Sequence, residues 1–122
     1  MFLEPKQVEF FETPTGFNPY EHWLDSLPDP TVQCRIMIRT LDLATGTSDE
    51  WRDAGGGVWK VVMDFGAGYR IYFGKPNVNQ ILVLGGGTVE TELLDTAVAR
   101  KHWVEFHAYK ERSLWILHAT QN

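Results

Sequence analysis

The chain has 122 residues, the usual size of one domain with one hydrophobic core. An apolar fraction of 43% and a charged fraction of 22% exclude an intrinsically disordered protein. The formal net charge of −5 excludes a globally basic nucleic-acid-binding protein, although it leaves room for a local basic patch.

The sequence favours a cytoplasmic protein with no membrane partner. Its one cysteine, Cys34, cannot form an internal disulfide, which favours a reducing compartment. No apolar run approaches the roughly 18–20 residues that span a bilayer. The start of the chain, residues 1–5, lacks the basic and apolar regions of a signal peptide.

A short strand and two capped helices are predicted for the first part of the chain. Residues 7–13 are rich in β-prone side chains and end at a proline. Asn18 and Asp29 are each followed by proline, which is typical of a helix N-cap, and Pro28 and Gly46 should end the two helices. Because the two helices are joined by only a short link, we expect them to pack as an antiparallel helical hairpin.

The second predicted helix has an apolar side. Cys34 lies within this amphipathic segment and is interpreted as a small core residue. The residues expected to face the core are Val32, Ile36, Met37, Leu41 and Leu43.

From residue 57 onward the apolar period changes to two. Three strands, 58–65, 69–73 and 80–84, joined by short turns, predict an antiparallel meander. One face should bury aromatic side chains against the helices. The other face should present its polar side chains to water, and these are Lys60, Asp64, Arg70 and Tyr72.

The last third of the chain predicts a C-terminal helix after a turn. Gly85-Gly86-Gly87 fits neither a Walker loop nor a dinucleotide-binding loop, and a tight turn explains it better. Thr88 or Thr91 could cap the helix, with Glu90 and Glu92 suited to its dipole. The apolar tail from Ser113 could extend this helix or add a strand. The predicted class is α+β, with residues 1–122 forming one domain.

The basic sheet face is the most informative candidate site. Residues 52–88 carry four basic and two acidic side chains, whereas residues 1–51 carry three and nine. Lys60 and Arg70 should point to the same side of facing strands, and Arg52 could reach them. Such cations suit phosphate groups, and Tyr72 could stack on a base. The alternative is a charged face that is simply solvated.

No cofactor or metal site is indicated. The four histidines lack the spacing of a zinc hydrolase, and the serines lie near no triad partner in the sequence.

Several segments resemble the RelE/ParE toxin superfamily, and within it the HigB-like, phage-derived branch of addiction-module killer proteins. The most specific is residues 55–73, which end in Gly-Tyr-Arg-Ile-Tyr-Phe, where the branch typically reads Gly-Pro-Gly-Tyr-Arg-Ile-Tyr-Phe. Residues 23–29, 35–46 and 81–87 also match, as do Asp95 and Ala97. The resemblance covers roughly residues 8–106 and leaves residues 107–122 outside it.

This resemblance implies a RelE-like fold and a toxin neutralised by a cognate antitoxin protein. Active RelE-like members act at the ribosome and cut mRNA, by attack of a ribose 2′-hydroxyl on the adjacent phosphate. By position, Arg70 matches the arginine that follows Gly-Tyr in the family, and Arg52 matches a lysine that is usual ahead of the family's β-hairpin. With Lys60 they form the expected catalytic set, and Tyr72, Lys75 and Asp64 the expected substrate-binding set.

Two positions depart from the family pattern. Val62 replaces an arginine and Val89 replaces a lysine, while Lys60 stands at a glutamate position. If each lost cation contributes a few kcal/mol, the departures remove several kcal/mol of transition-state stabilisation. The sequence therefore favours a ribosome-dependent mRNA endonuclease with a partly degenerate basic site. The alternative is a catalytically silent member of this fold that binds an antitoxin-like partner or a gyrase-type target.

Overall fold

A five-stranded mixed sheet lies between two helical layers. The structure is a computed structural model that describes the backbone of residues 4–120 and the side chains of residues 4–112. Its main elements are β1 (Gln7–Phe10), α1 (Pro19–Ser26), α2 (Pro30–Leu41), β2 (Arg52–Gly55), β3 (Val58–Met63), β4 (Tyr69–Asn77), β5 (Gln80–Gly87) and α3 (Glu92–Thr120).

The predicted helix caps are confirmed. Asn18 accepts a hydrogen bond from the backbone N–H of Glu21 at 3.0 Å, and Asp29 accepts one from Thr31 at 2.9 Å. The start of α1 contacts the end of α2 through a buried hydrogen bond of 2.7 Å between Tyr20 and Thr40, as expected for an antiparallel hairpin. However, α2 ends at Leu41, and a 3₁₀ turn precedes Gly46.

The helix α2 packs on the sheet through a narrower stripe than predicted. Ile36 and Leu43 are buried as expected, with Thr40 between them. Met37 and Leu41 are about half exposed and Cys34 is exposed, so their placement in the core was wrong. Because successive helical residues are 100° apart, Cys34 lies on the side of α2 opposite Ile36.

The predicted meander is confirmed within a larger sheet. The strand order is β1-β5-β4-β3-β2, and β3, β4 and β5 pair antiparallel. The strand β1 is shorter than predicted and pairs parallel with β5, while β2 is an edge strand that the sequence did not predict.

The second face of the sheet is covered by α3, which contradicts the prediction of a solvated face. Ala99 of α3 is buried, and Trp103 and Phe106 pack against the same cluster. This cluster includes Val58 of β3 and Tyr72 of β4. The backbone of α3 continues to Thr120, so residues 113–120 of the tail extend the helix and do not add a strand.

Glycines let side chains approach the sheet closely. Gly85–Gly87 belong to β5, so the predicted tight turn was wrong. A Cβ at Gly86 would collide with Trp23 of α1, on the face covered by α1 and α2. A Cβ at Gly87 would collide with Asp95 of α3, on the opposite face. Gly74 in β4 similarly leaves room for the ring of Trp103. Because these glycines have no side chains, β4 and β5 can lie close to the helices on both faces of the sheet.

The two sheet glycines Gly74 and Gly85 should respond oppositely to the same substitution. Gly74→Ala should lower the free energy of unfolding by about 1–3 kcal/mol, because the new methyl group collides with the Trp103 ring. Gly85→Ala meets no atom within 4 Å and should be neutral or stabilising by up to about 1 kcal/mol. Urea unfolding of both variants measures the difference, and equal effects would contradict the packing of Trp103 on β4.

Candidate functional site

Strand register places the predicted cations in two neighbouring rows on the α3 face of the sheet. Lys60 of β3 lies opposite Arg52 of β2 on one side and opposite Tyr72 of β4 on the other. Directly paired residues point to the same face, so these three side chains form one row. Arg70 lies in the next row, opposite Val62. The sequence-based prediction that Lys60 and Arg70 share a face is therefore confirmed.

The first turn of α3 lies over these two cations. The Nζ of Lys60 is 3.2 Å from Oε1 of Glu92, and the Nε of Arg70 forms an ion pair with Oε2 of the same carboxylate. Arg70 also donates to the carbonyl oxygen of Gly68. The side chains of Lys60 and Arg70 are only 19% and 13% exposed, so they are not the freely solvated pair that the sequence predicted. We call Lys60, Arg70, Tyr72 and Glu92 the sheet cluster.

The environment of Glu92 keeps its carboxylate charged. The hydrogen bond from Arg70 lowers the pKa of Glu92, and Lys60 acts in the same direction, while partial burial opposes them. A carboxylate of lowered pKa is a weak proton acceptor at neutral pH. Glu92 is therefore suited to be a fixed counter-ion and poorly suited to be a general base.

The side chain of Tyr72 is the fully buried member of the sheet cluster. It is not accessible for stacking on a base, which corrects the role that the sequence suggested. Its hydroxyl makes no hydrogen bond with the described residues. Burial raises the pKa of Tyr72, and the side chain of Thr96 partly opposes this without reaching hydrogen-bonding geometry. An unpaired buried hydroxyl is uncommon, and this residue lies opposite Lys60 on β3 and two residues after Arg70 on β4.

The other predicted site residues lie outside the sheet cluster. Arg52 is exposed at the sheet edge, where it lines an open groove of about 760 Å³ together with Asp64 and Val62. Lys75 lies at the far end of β4, with its Nζ 5.5 Å from the ring centroid of Trp51. Trp51 packs against the core beneath α1 and α2. The structure therefore brings Arg52 beside Lys60 and separates Lys75 from the other candidates.

Sequence reasoning missed the residues through which α3 closes over the sheet. Glu92 was recognised only as favourable for the helix dipole. Arg100, whose Nε donates to the carbonyl oxygen of Ala54 at 2.8 Å, was not recognised at all. The available signal was the pair of large aromatic residues in the last helix, Trp103 and Phe106, which require an apolar surface to pack against.

Among the described residues, no group of three histidine, cysteine, aspartate or glutamate side chains is placed to hold a metal ion. Within the same residues, no helix is both long enough and apolar enough to cross a membrane.

Comparison with known proteins gives one distant likeness. The chain is similar to an uncharacterized protein of Haemophilus influenzae (strain Rd), with 26% identity over 81 residues, which are 66% of this chain and 82% of that protein. No family model matches the chain, and no solved structure matches it significantly. The likeness relates the two proteins and assigns neither a family nor an activity.

Removing the charge of Glu92 should destabilise the protein in a pH-dependent way. Glu92→Gln leaves Lys60 and Arg70 without their counter-ion and should lower the free energy of unfolding by about 1–3 kcal/mol at neutral pH. Because folding lowers the pKa of Glu92 below its ordinary value of 4.5, its contribution is complete above that pH and disappears as the pH falls through the folded-state pKa. Urea unfolding across this range should show the two proteins converging in acid.

The matched control for that experiment is Glu90→Gln, which removes an exposed carboxylate two residues away. It should change the free energy of unfolding little and with no convergence in acid. An equal loss for Glu90→Gln and Glu92→Gln would contradict a specific role for the Glu92 ion pairs.

Removing the unpaired hydroxyl of Tyr72 should not destabilise the free protein. Tyr72→Phe deletes a buried polar group that has no hydrogen-bond partner, so it should be neutral or stabilising by up to about 1 kcal/mol. Tyr20→Phe is the contrasting variant, because the hydroxyl of Tyr20 is hydrogen-bonded to Thr40, and it should lose about 1 kcal/mol. Thermal unfolding compares the two, and a large loss in Tyr72→Phe would mean that its hydroxyl is satisfied.

Proposed function

We propose that this protein is the toxin component of a type II toxin–antitoxin module, of the RelE/ParE type, and that it cleaves mRNA at the ribosome. The resemblance of residues 55–73 to the toxin hairpin supports the proposal. The arrangement of the sheet also supports it, because α1 and α2 pack on one face and the cations lie on the other.

The observation that carries the proposal is the way Lys60 and Arg70 hold one carboxylate between them. Each cation contacts a different oxygen of Glu92. Two neighbouring oxygens on one anionic centre are also what a phosphodiester presents, and arginine and lysine are the usual partners of both groups. Lys60 and Arg70 together therefore have the charge and spacing to hold the phosphate of an RNA backbone.

Cations fixed at a phosphate also suit the proposed reaction. When a ribose 2′-hydroxyl attacks the adjacent phosphate, negative charge accumulates on the non-bridging oxygens and on the leaving oxygen. Lys60 and Arg70 on paired strands are held in place before the reaction and can stabilise that charge. Arg52, which lies in the row of Lys60, offers a third, exposed cation for the flanking backbone.

A second candidate function is supported by the same cluster. Glu92 neutralises the two cations, and Val62, which lies directly opposite Arg70, offers no charge where the toxin pattern has an arginine. A catalytically silent toxin-fold protein that acts by binding an antitoxin-like protein or a gyrase-type target would have these features.

Expression of the protein in a heterologous cell tests these functions. Induction should stop growth and produce mRNA ends in phase with codons, detected by primer extension. Arg70→Ala should reduce cleavage by at least about 100-fold, because it removes a charge that stabilises the transition state. The control is Lys101→Ala, which removes an exposed cation of α3 that pairs with Glu105 outside the sheet cluster and should leave cleavage unchanged.

The other outcomes separate the two candidates. Growth arrest without RNA cleavage would contradict the endonuclease and favour a protein target. Normal growth with a folded protein would favour the silent form. A neighbouring reading frame for a small helix-turn-helix protein would support the module, whichever activity is found.

A further inference from the structure

We propose that Glu92 is an internal competitor for RNA phosphate, and that the site formed by Lys60 and Arg70 opens when the first turn of α3 lifts from the sheet. The inference rests on the proposed function, because it concerns access to the same site. It adds that the free protein holds this site closed with a carboxylate of its own chain.

Glu92 occupies the two cations in the free protein. Both oxygens of Glu92 are engaged, one with Lys60 at 3.2 Å and one with Arg70. A phosphate group cannot reach the same donors while the carboxylate remains there. Because both anions require the same cations, RNA binding and the closed position of Glu92 exclude one another, and each should weaken the other.

The helix α3 is attached unevenly to the sheet. Leu93 and Leu94 in its first turn are 91% and 68% exposed, so this turn contributes little apolar packing. Burial begins two turns later at Ala99 and continues through Trp103, which lies against Gly57 and Gly74. The start of the helix is therefore held to the sheet by the Glu92 ion pairs and by the close approach of Asp95 to Gly87, and the following turns are held by apolar contacts.

The local hydrogen bonds of the first turn permit such a movement. The backbone N–H of Asp95 donates to the carbonyl oxygen of Thr91 at 2.9 Å, and the side chains of these two residues are also hydrogen-bonded. Both bonds lie within the turn and would move with it. Lifting the turn thus removes the ion pairs of Glu92 without unwinding the helix around them.

The hydroxyl of Tyr72 also favours an open, phosphate-bound site. It is fully buried and unpaired in the closed arrangement, and it lies directly opposite Lys60 across the strands. A phosphate that replaces Glu92 brings additional acceptor oxygens to this position. The open, RNA-bound site would therefore give the hydroxyl the hydrogen bond that the closed site does not provide.

Fluorescence anisotropy with a short, 5′-labelled single-stranded RNA tests the competition at fixed ionic strength. Glu92→Gln should bind this RNA about tenfold or more tightly than the wild type, because the competing anion is gone. Glu90→Gln changes the net charge equally, outside the sheet cluster, and should change the affinity less than about twofold. Equal gains for the two variants would overturn the proposal, since charge alone would then explain the effect.

Substitution of Arg70 separates this inference from the proposed function. Arg70→Ala in the Glu92→Gln background should remove the tenfold gain. If Arg70→Ala weakens binding in both backgrounds but Glu92→Gln brings no gain, the phosphate site stands and the competition is refuted. If Arg70→Ala changes binding in neither background, the phosphate site itself fails, and the inference fails with it.

Two further measurements keep the test independent of the stability of Glu92→Gln. Glu92→Asp retains the charge on a side chain one methylene shorter, so it should loosen the ion pairs and give a smaller gain in affinity. In the wild type, RNA should lengthen the distance between spin labels at the exposed Cys34 and at Leu93→Cys, measured by pulsed electron paramagnetic resonance, and should not lengthen the distance between Cys34 and a label at Val104→Cys. An unchanged or shorter distance to residue 93 would overturn the lifting of this turn.

Tyr72→Phe provides the last check. In the Glu92→Gln background it should weaken RNA binding several-fold, in contrast to its small effect on the stability of the free protein. Unchanged affinity would show that the hydroxyl does not contact the phosphate.

Discussion

The alternation of side chains along β3 and β4, between two covered faces, is the constraint on which the rest of the structure depends. One set of residues builds the core beneath α1 and α2, and the other set lies beneath α3. Lys60 and Arg70 belong to the second set and lose much of their hydration there. Because partly buried cations are costly without a partner, the covering helix must supply an anion, and Glu92 provides it.

Local signals were sufficient for the parts of the fold that local chemistry determines. Asn18 and Asp29 each combine a capping side chain with a following proline, so both helix starts could be predicted. The period-two pattern likewise predicted the meander and the common face of Lys60 and Arg70. These features depend on interactions within a few residues or between strands that follow one another along the chain.

Features that depend on packing between distant segments could not be predicted in this way. Gly86 and Gly87 look like turn residues in the sequence, whereas their role is to admit Trp23 and Asp95 to the sheet. The polar residues of β3 and β4 look solvated because the sequence does not show which helix lies above them. For the same reason Glu92 could be assigned to the first turn of a helix, but not to its cationic partners.

The distance between Glu92 and Ala99 has a mechanical consequence. Seven residues of α-helix span about 10 Å, so Glu92 is at the end of a rigid arm whose fulcrum is the buried Ala99. A tilt of about 20° around that fulcrum displaces the end of the arm by roughly 3 Å, which is comparable to the length of an ion pair. A small rotation of one helix is thus enough to separate oppositely charged groups.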